Sequence, residues 1–166
     1  MATWPTIIND DGSGTTGTVL DEALFTAIKA YIDAAAPPGL GQWQTVPFAA
    51  GNFTAAGSMT WTVSAGQVPF NRYTQFGKTL LWSVYIAGGV LGGTASNAVY
   101  ITLPNGLSAT GNAGTAATGQ LYDGVHQPGF VSIDATGPKL RIQKQTEGTF
   151  GLGPTYIRFT VVLEVL

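Results

Sequence analysis

Ile157-Arg158-Phe159-Thr160-Val161-Val162-Leu163-Glu164-Val165 reads with a period of two. Ile157, Phe159, Val161, Leu163 and Val165 fall on one side, and Arg158, Thr160, Val162 and Glu164 on the other. An extended strand sends successive side chains to opposite faces, so this spacing predicts a β-strand with one face in a core. The same parity recurs upstream. Leu80, Trp82, Val84 and Ile86 alternate with Thr79, Leu81, Ser83 and Tyr85, and Val99, Ile101 and Leu103 alternate with Tyr100 and Thr102. Val131 and Ile133 oppose Ser132 and Asp134, and Leu140 and Ile142 alternate with Arg141 and Gln143. Weaker candidates are residues 43–48, 58–63, 73–76 and 116–122. Turn-formers such as Pro104-Asn105-Gly106, Gly137-Pro138 and Gly151-Leu152-Gly153-Pro154 punctuate these segments. Residues 42–166 are therefore expected to form a mainly β domain, an antiparallel β-sandwich of jelly-roll-like type. The low-complexity stretch 107–119 is expected to be an exposed loop.

Composition agrees with short strands and many turns. Only 10% of the 166 residues are charged, against about 25% in an average globular chain. Glycine contributes 23 residues, and Thr, Ser, Asn and Gln carry the polar surface. The hydrophobic share of 45% with a net charge of −2 is unlike the low hydrophobicity and high charge of a disordered chain. The charge is unevenly placed. Residues 1–39 hold five acids against Lys29, a net −4; residues 40–166 hold six bases against four acids, a net +2. Of the bases only Lys139, Arg141 and Lys144 lie close together in sequence, a thin basis for neutralising phosphates, so nucleic acid is not an expected partner. With no cysteine, disulfides and thiolate chemistry are excluded. No run approaches the ~20 apolar residues of a spanning helix, so no membrane insertion is expected. Met1-Ala2-Thr3-Trp4-Pro5 has neither a basic region nor an apolar core, so the sequence predicts synthesis in the cytoplasm without a signal peptide.

The chain before the strands has a different character. Residues 1–17 read as an extended arm, because Asn9-Asp10-Asp11-Gly12-Ser13-Gly14-Thr15-Thr16-Gly17 is too polar and glycine-rich to build a core. Within 18–36 a short α-helix is expected. Thr18 is the N-cap, Asp21 and Glu22 sit in the first turn, and Leu20, Leu24, Ile28, Tyr31 and Ala35 make one apolar stripe. Pro37-Pro38-Gly39 ends it and opens a linker, 37–41. So short a helix is marginal alone. Its stripe must pack on the following domain or on copies of itself, and self-association is favoured.

Motifs of known chemistry fare poorly. Gly12-Ser13-Gly14-Thr15-Thr16-Gly17 has the letters of a dinucleotide loop, but no buried strand precedes it and Asp10-Asp11 would repel a pyrophosphate. Asn9–Gly14 opens like a calcium loop, yet its twelfth position is Leu20 where a bidentate Glu is needed. Neither cofactor nor metal is expected. His126 is the one histidine, which leaves little material for a catalytic triad. It follows Asp123 in the turn Asp123-Gly124-Val125-His126-Gln127-Pro128, where Asp123 is near enough in sequence to pair with it. The nine acids show no evident pair for glycosidase chemistry, so no enzyme activity is expected. Tyr122, at a loop edge, could stack on a sugar ring. Tyr122, Asp123 and His126 are the candidate ligand loop.

The string Asn9-Asp10-Asp11-Gly12-Ser13-Gly14-Thr15-Thr16-Gly17-Thr18 before a short helix resembles the N-terminus of many structural proteins of tailed bacteriophages. Tyr73-Thr74-Gln75-Phe76-Gly77-Lys78-Thr79-Leu80-Leu81-Trp82-Ser83-Val84 is similar to a strand found in phage fibre and head-fibre domains. Ala98-Val99-Tyr100-Ile101-Thr102-Leu103-Pro104-Asn105-Gly106 is similar to a strand and turn of the same modules. The resemblance covers about a third of the chain, and it implies a virion protein: a homotrimer of jelly-roll-like heads whose N-terminal segments attach to the particle. Trp4, Ile7, Ile8, Asp10 and Asp11 would then be attachment residues for other virion proteins, and Leu20, Leu24, Ile28 and Tyr31 would line the oligomerisation helix. A short tail or head fibre, a receptor-binding head touching a host-surface glycan or protein, and a capsid decoration protein all fit. A free carbohydrate-binding β-sandwich module is the alternative.

Overall fold

A computed structural model of the chain describes residues 25–30, 42–109, 115–134, 138–146 and 148–166. Contacts divide the chain into two units, Met1–Leu40 and Gly41–Leu166. In the first, residues 25–30 are helical, Phe25 is exposed and Ile28 is half-buried. Leu20, Leu24, Tyr31 and Ala35 of the expected stripe lie outside the described residues. So do Trp4, Ile7, Ile8, Asp10 and Asp11 of the arm, and the linker 37–41.

The second unit is mainly β, an antiparallel sheet curled into a half-barrel. Its strands are β1 (Gln44–Thr45), β2 (Phe53–Ala55), β3 (Met59–Thr62), β4 (Phe70–Phe76), β5 (Thr79–Gly93), β6 (Val99–Thr102), β7 (Thr115–Tyr122), β8 (His126–Ile133), β9 (Lys139–Lys144) and β10 (Gly153–Glu164). One ladder runs β1-β4-β5-β10-β7-β8-β9-β6-β2, with β3 also paired to β5. The alternating segment from Ile157 to Glu164 lies in β10, between β5 and β7 in this ladder. Ile157, Phe159, Val161 and Leu163 are buried, while Arg158, Thr160, Val162 and Glu164 are exposed. Leu80, Trp82, Val84 and Ile86 are each fully buried opposite them on β5. These side chains join Val99, Ile101, Leu121, Val131, Leu140 and Ile142 from the far half of the ladder in a single core cluster.

A glycine bulge lets the long β5 serve two partners along one edge. Pairing with β10 steps from Tyr156↔Ala87 to Thr155↔Gly89, so Gly88 has no partner and takes φ +83. A bulge of this kind bends the strand and increases its twist. Before the bend β5 pairs with β4, through Phe70↔Tyr85; beyond it β3 takes that edge, through Thr62↔Val90. Gly88→Ala would force a Cβ into left-handed backbone, and a loss of about 1–2 kcal/mol in unfolding free energy is expected, read as a lower urea midpoint at unchanged slope.

Polar side chains fix the ends of the sheet. The hydroxyl of Tyr73 donates to Gln44 Oε1 at 2.8 Å and accepts from Asn105 Nδ2, which ties β1 and the Pro104–Gly106 turn to β4. Asn105 has φ 53, the left-handed conformation that Asn tolerates better than most residues. Two sequence expectations are corrected. The expected strand at 43–48 contracts to two residues, Gln44–Thr45. The stretch 107–119 is not simply an exposed loop: Leu107 and Ala109 pack on the core, Ala109 bridges Val165, and β7 begins at Thr115. The sequence there is simple, but Val165 and Leu166 continue past the end of β10 and hold it, Leu166 N–H donating to Ser108 O at 2.9 Å.

Candidate functional site: an aromatic and arginine trough on the outer face

The register of three strands assembles the site. Tyr156 of β10 pairs with Tyr122 of β7, and Tyr122 pairs with His126 of β8. One step along, Tyr85 of β5 pairs with Arg158, and Arg158 pairs with Gln120. Their neighbours Leu121 and Ile157 are buried, so strand alternation turns the two rows outward. The rings are in contact. Tyr122 lies 4.7 Å from His126 and meets Tyr156 edge-on at 5.6 Å, centroid to centroid. Tyr85, Gln120, Tyr122, His126, Tyr156 and Arg158 enclose a cavity of about 200 Å³. A broader trough of about 410 Å³ adjoins it, sharing Gln120 and Arg158 and reaching Thr118 and Thr160.

Arg158 is held from below. Its guanidinium carbon stands 5.8 Å over the Phe70 ring and 6.0 Å over that of Tyr85. Arg72 continues the stack, 5.4 Å over Phe70 and 4.9 Å over Trp43. Each such contact contributes roughly 0.5–1 kcal/mol at an exposed site and orients the cation. Among the described residues no carboxylate pairs with Arg158, and none lines either cavity.

The three residues of the candidate ligand loop part company. Tyr122 and His126 meet, and His126 opens β8 instead of sitting in a turn. Asp123 points the other way, its side chain 1% exposed. Its Oδ2 accepts from Lys144 Nζ at 2.5 Å and from Gly151 N–H at 2.7 Å, and its Oδ1 accepts from Gln127 Nε2 at 2.9 Å. Asp123 therefore latches the β7–β8 turn to β9 and to the loop before β10, and it is not a partner for His126. The latch also removes Lys144 from the Lys139, Arg141 and Lys144 cluster. Tyr85, Gln120, Tyr156 and Arg158 were not among the predicted site residues. Their outward parity was readable, but their register against β7 was not.

Among the described residues no group of three His, Asp or Glu side chains could hold a metal ion, and no helix is long and apolar enough to cross a membrane. No protein-family model matches the chain, and no curated protein or solved structure matches it either.

Proposed function

We propose that this chain is a structural protein of a tailed-bacteriophage virion, a short fibre or receptor-binding head carried on the particle by its N-terminal arm. The observation that carries the reading is the Asn9–Thr18 string before a short helix, with its likeness to the N-termini of such proteins. In this reading residues 1–17 bind other virion proteins, 18–36 assemble a homotrimer, and the curled sheet serves as a jelly-roll-like, non-enzymatic head. Buried side chains from β4, β5 and β10 share one core cluster with those from β6, β8 and β9, as such a head requires. The outer surface of β5 and β10 lends support. Val162, 60% exposed, pairs with the half-buried Leu81 in mid-sheet, an apolar spot that a symmetric neighbour would cover. Capsid decoration is compatible with the same organisation.

Light scattering after size exclusion tests the assembly. Trimers of the full chain, and of a version starting at Gly39, would place the assembly surface on the sheet. A trimer of the full chain alone would assign it to the Leu20–Ala35 stripe. Two monomers would overturn the homotrimer. The contact of Tyr122, Tyr156 and His126 favours a second reading, a free carbohydrate-binding module, which predicts a monomer whose sugar affinity falls on Tyr122→Ala.

A further inference from the structure

We infer that the trough over β5, β10, β7 and β8 binds a linear oligosaccharide carrying a carboxylate, with Arg158 as the acid-recognising group. The inference goes beyond the virion reading and holds whether or not the chain is carried on a particle.

Shape sets the size of the ligand. The cavity between Tyr122, Tyr156 and Arg158 is about 200 Å³, below the roughly 300–1,000 Å³ typical of sites for drug-sized molecules, so it takes one ring. The adjoining trough shares Arg158 and Gln120, which gives the neighbouring units of a chain a continuous bed. From His126 on β8 to Tyr85 on β5 the bed crosses three strand spacings, about 14 Å at roughly 4.8 Å each.

Chemistry sets the class. Tyr122, Tyr156 and His126 offer ring faces and edges for the apolar side of a pyranose, and Tyr156 is 41% exposed. Gln120, Thr118 and Thr160 offer neutral donors and acceptors for hydroxyl groups. Arg158 supplies a planar fork of donors suited to a carboxylate. Its own face is occupied by Phe70 and Tyr85, its charge is unpaired among the described residues, and no acid in the trough opposes an anion. A nucleic acid would bring a phosphate at every unit, and one arginine in the trough is poor neutralisation for that.

Calorimetric titration of the full chain with trigalacturonate, its fully methylated ester and a thymidylate trimer tests the assignment. A panel of other uronate and sialate oligosaccharides is run beside them. Acid binding is expected to exceed ester binding by about tenfold or more, the usual contribution of a hydrogen bond to a charged group. Arg158→Gln should erase that preference and Tyr122→Ala should weaken acid and ester alike. Lys139→Gln, which removes a cation from β9, should change neither. Equal affinity for acid and ester, thymidylate binding as tight as the acid, or no binding anywhere in the acidic panel would each overturn the proposal. The oligomeric state measured above is a separate readout, so failure of one reading does not entail failure of the other.

Discussion

Asp123→Ala is expected to destabilise the β-domain by about 3–5 kcal/mol, the usual result of removing one partner from a buried ion pair. Lys144 is 12% exposed and Asp123 1%, so the ammonium left behind has little access to water. The Gly151 N–H and the Gln127 amide lose their acceptor in the same step. Against a total stability of about 5–15 kcal/mol, such a loss would leave a visible unfolded population. The decisive comparison is with the double variant Asp123→Asn/Lys144→Met. Asparagine keeps an oxygen for the Gly151 N–H, and methionine keeps the length of the lysine stem without its charge. The double variant should lie within about 2 kcal/mol of the parent, because an ion pair replaced as a unit leaves no charge stranded. Urea unfolding of the four proteins forms a cycle. If the effects of Asp123→Asn and Lys144→Met simply add, the pair is not coupled, and the latch would lie in the neutral hydrogen bonds alone.

That latch also marks where the sequence stopped being readable. Tyr122, Asp123 and His126 are close along the chain, and the rings of Tyr122 and His126 meet. Chain proximity could not show that Asp123 is directed to Lys144 and Gly151, more than twenty residues on. Burial on one face explains why the strands themselves were legible. A one-residue slip of β10 would expose Phe159 and bury Arg158, so its pattern has one stable solution. Register between strands has no such local signature. Tyr156 and Arg158 reach Tyr122 and Gln120 through pairings that no single segment encodes. Parity also misled in mid-sheet. Ser83 and Thr74 have outward parity yet are 9% and 2% exposed. Ser83 stands between Arg72 and Thr160 in the ladder and shares a hydrogen bond with the Thr160 hydroxyl at 3.0 Å.

Trp82 is where the core itself can be tested. Its side chain is wholly buried on β5, it meets Phe159 of β10 edge-on at 6.0 Å, and its Nε1–H donates to Asn71 Oδ1 at 2.7 Å. Trp82→Ala is expected to cost about 3–5 kcal/mol, the transfer free energy of the indole plus the cavity it leaves. Trp82→Phe separates the two contributions. A phenyl ring retains much of the packing on Phe159 but has no N–H, so the Asn71 oxygen, in a residue 7% exposed, loses its donor. That loss alone should amount to about 1–3 kcal/mol. Asn71→Leu placed on Trp82→Phe should then restore part of the stability, since two apolar groups replace a donor and an acceptor together. If Trp82→Phe changes stability by less than about 0.5 kcal/mol, the range of an ordinary surface substitution, the hydrogen bond contributes nothing. Attachment of β4 to β5 would then rest on backbone pairing and ring packing. If instead Trp82→Phe falls as far as Trp82→Ala, the polar contact dominates, and the buried Asn71 is what holds β4 in register across the core.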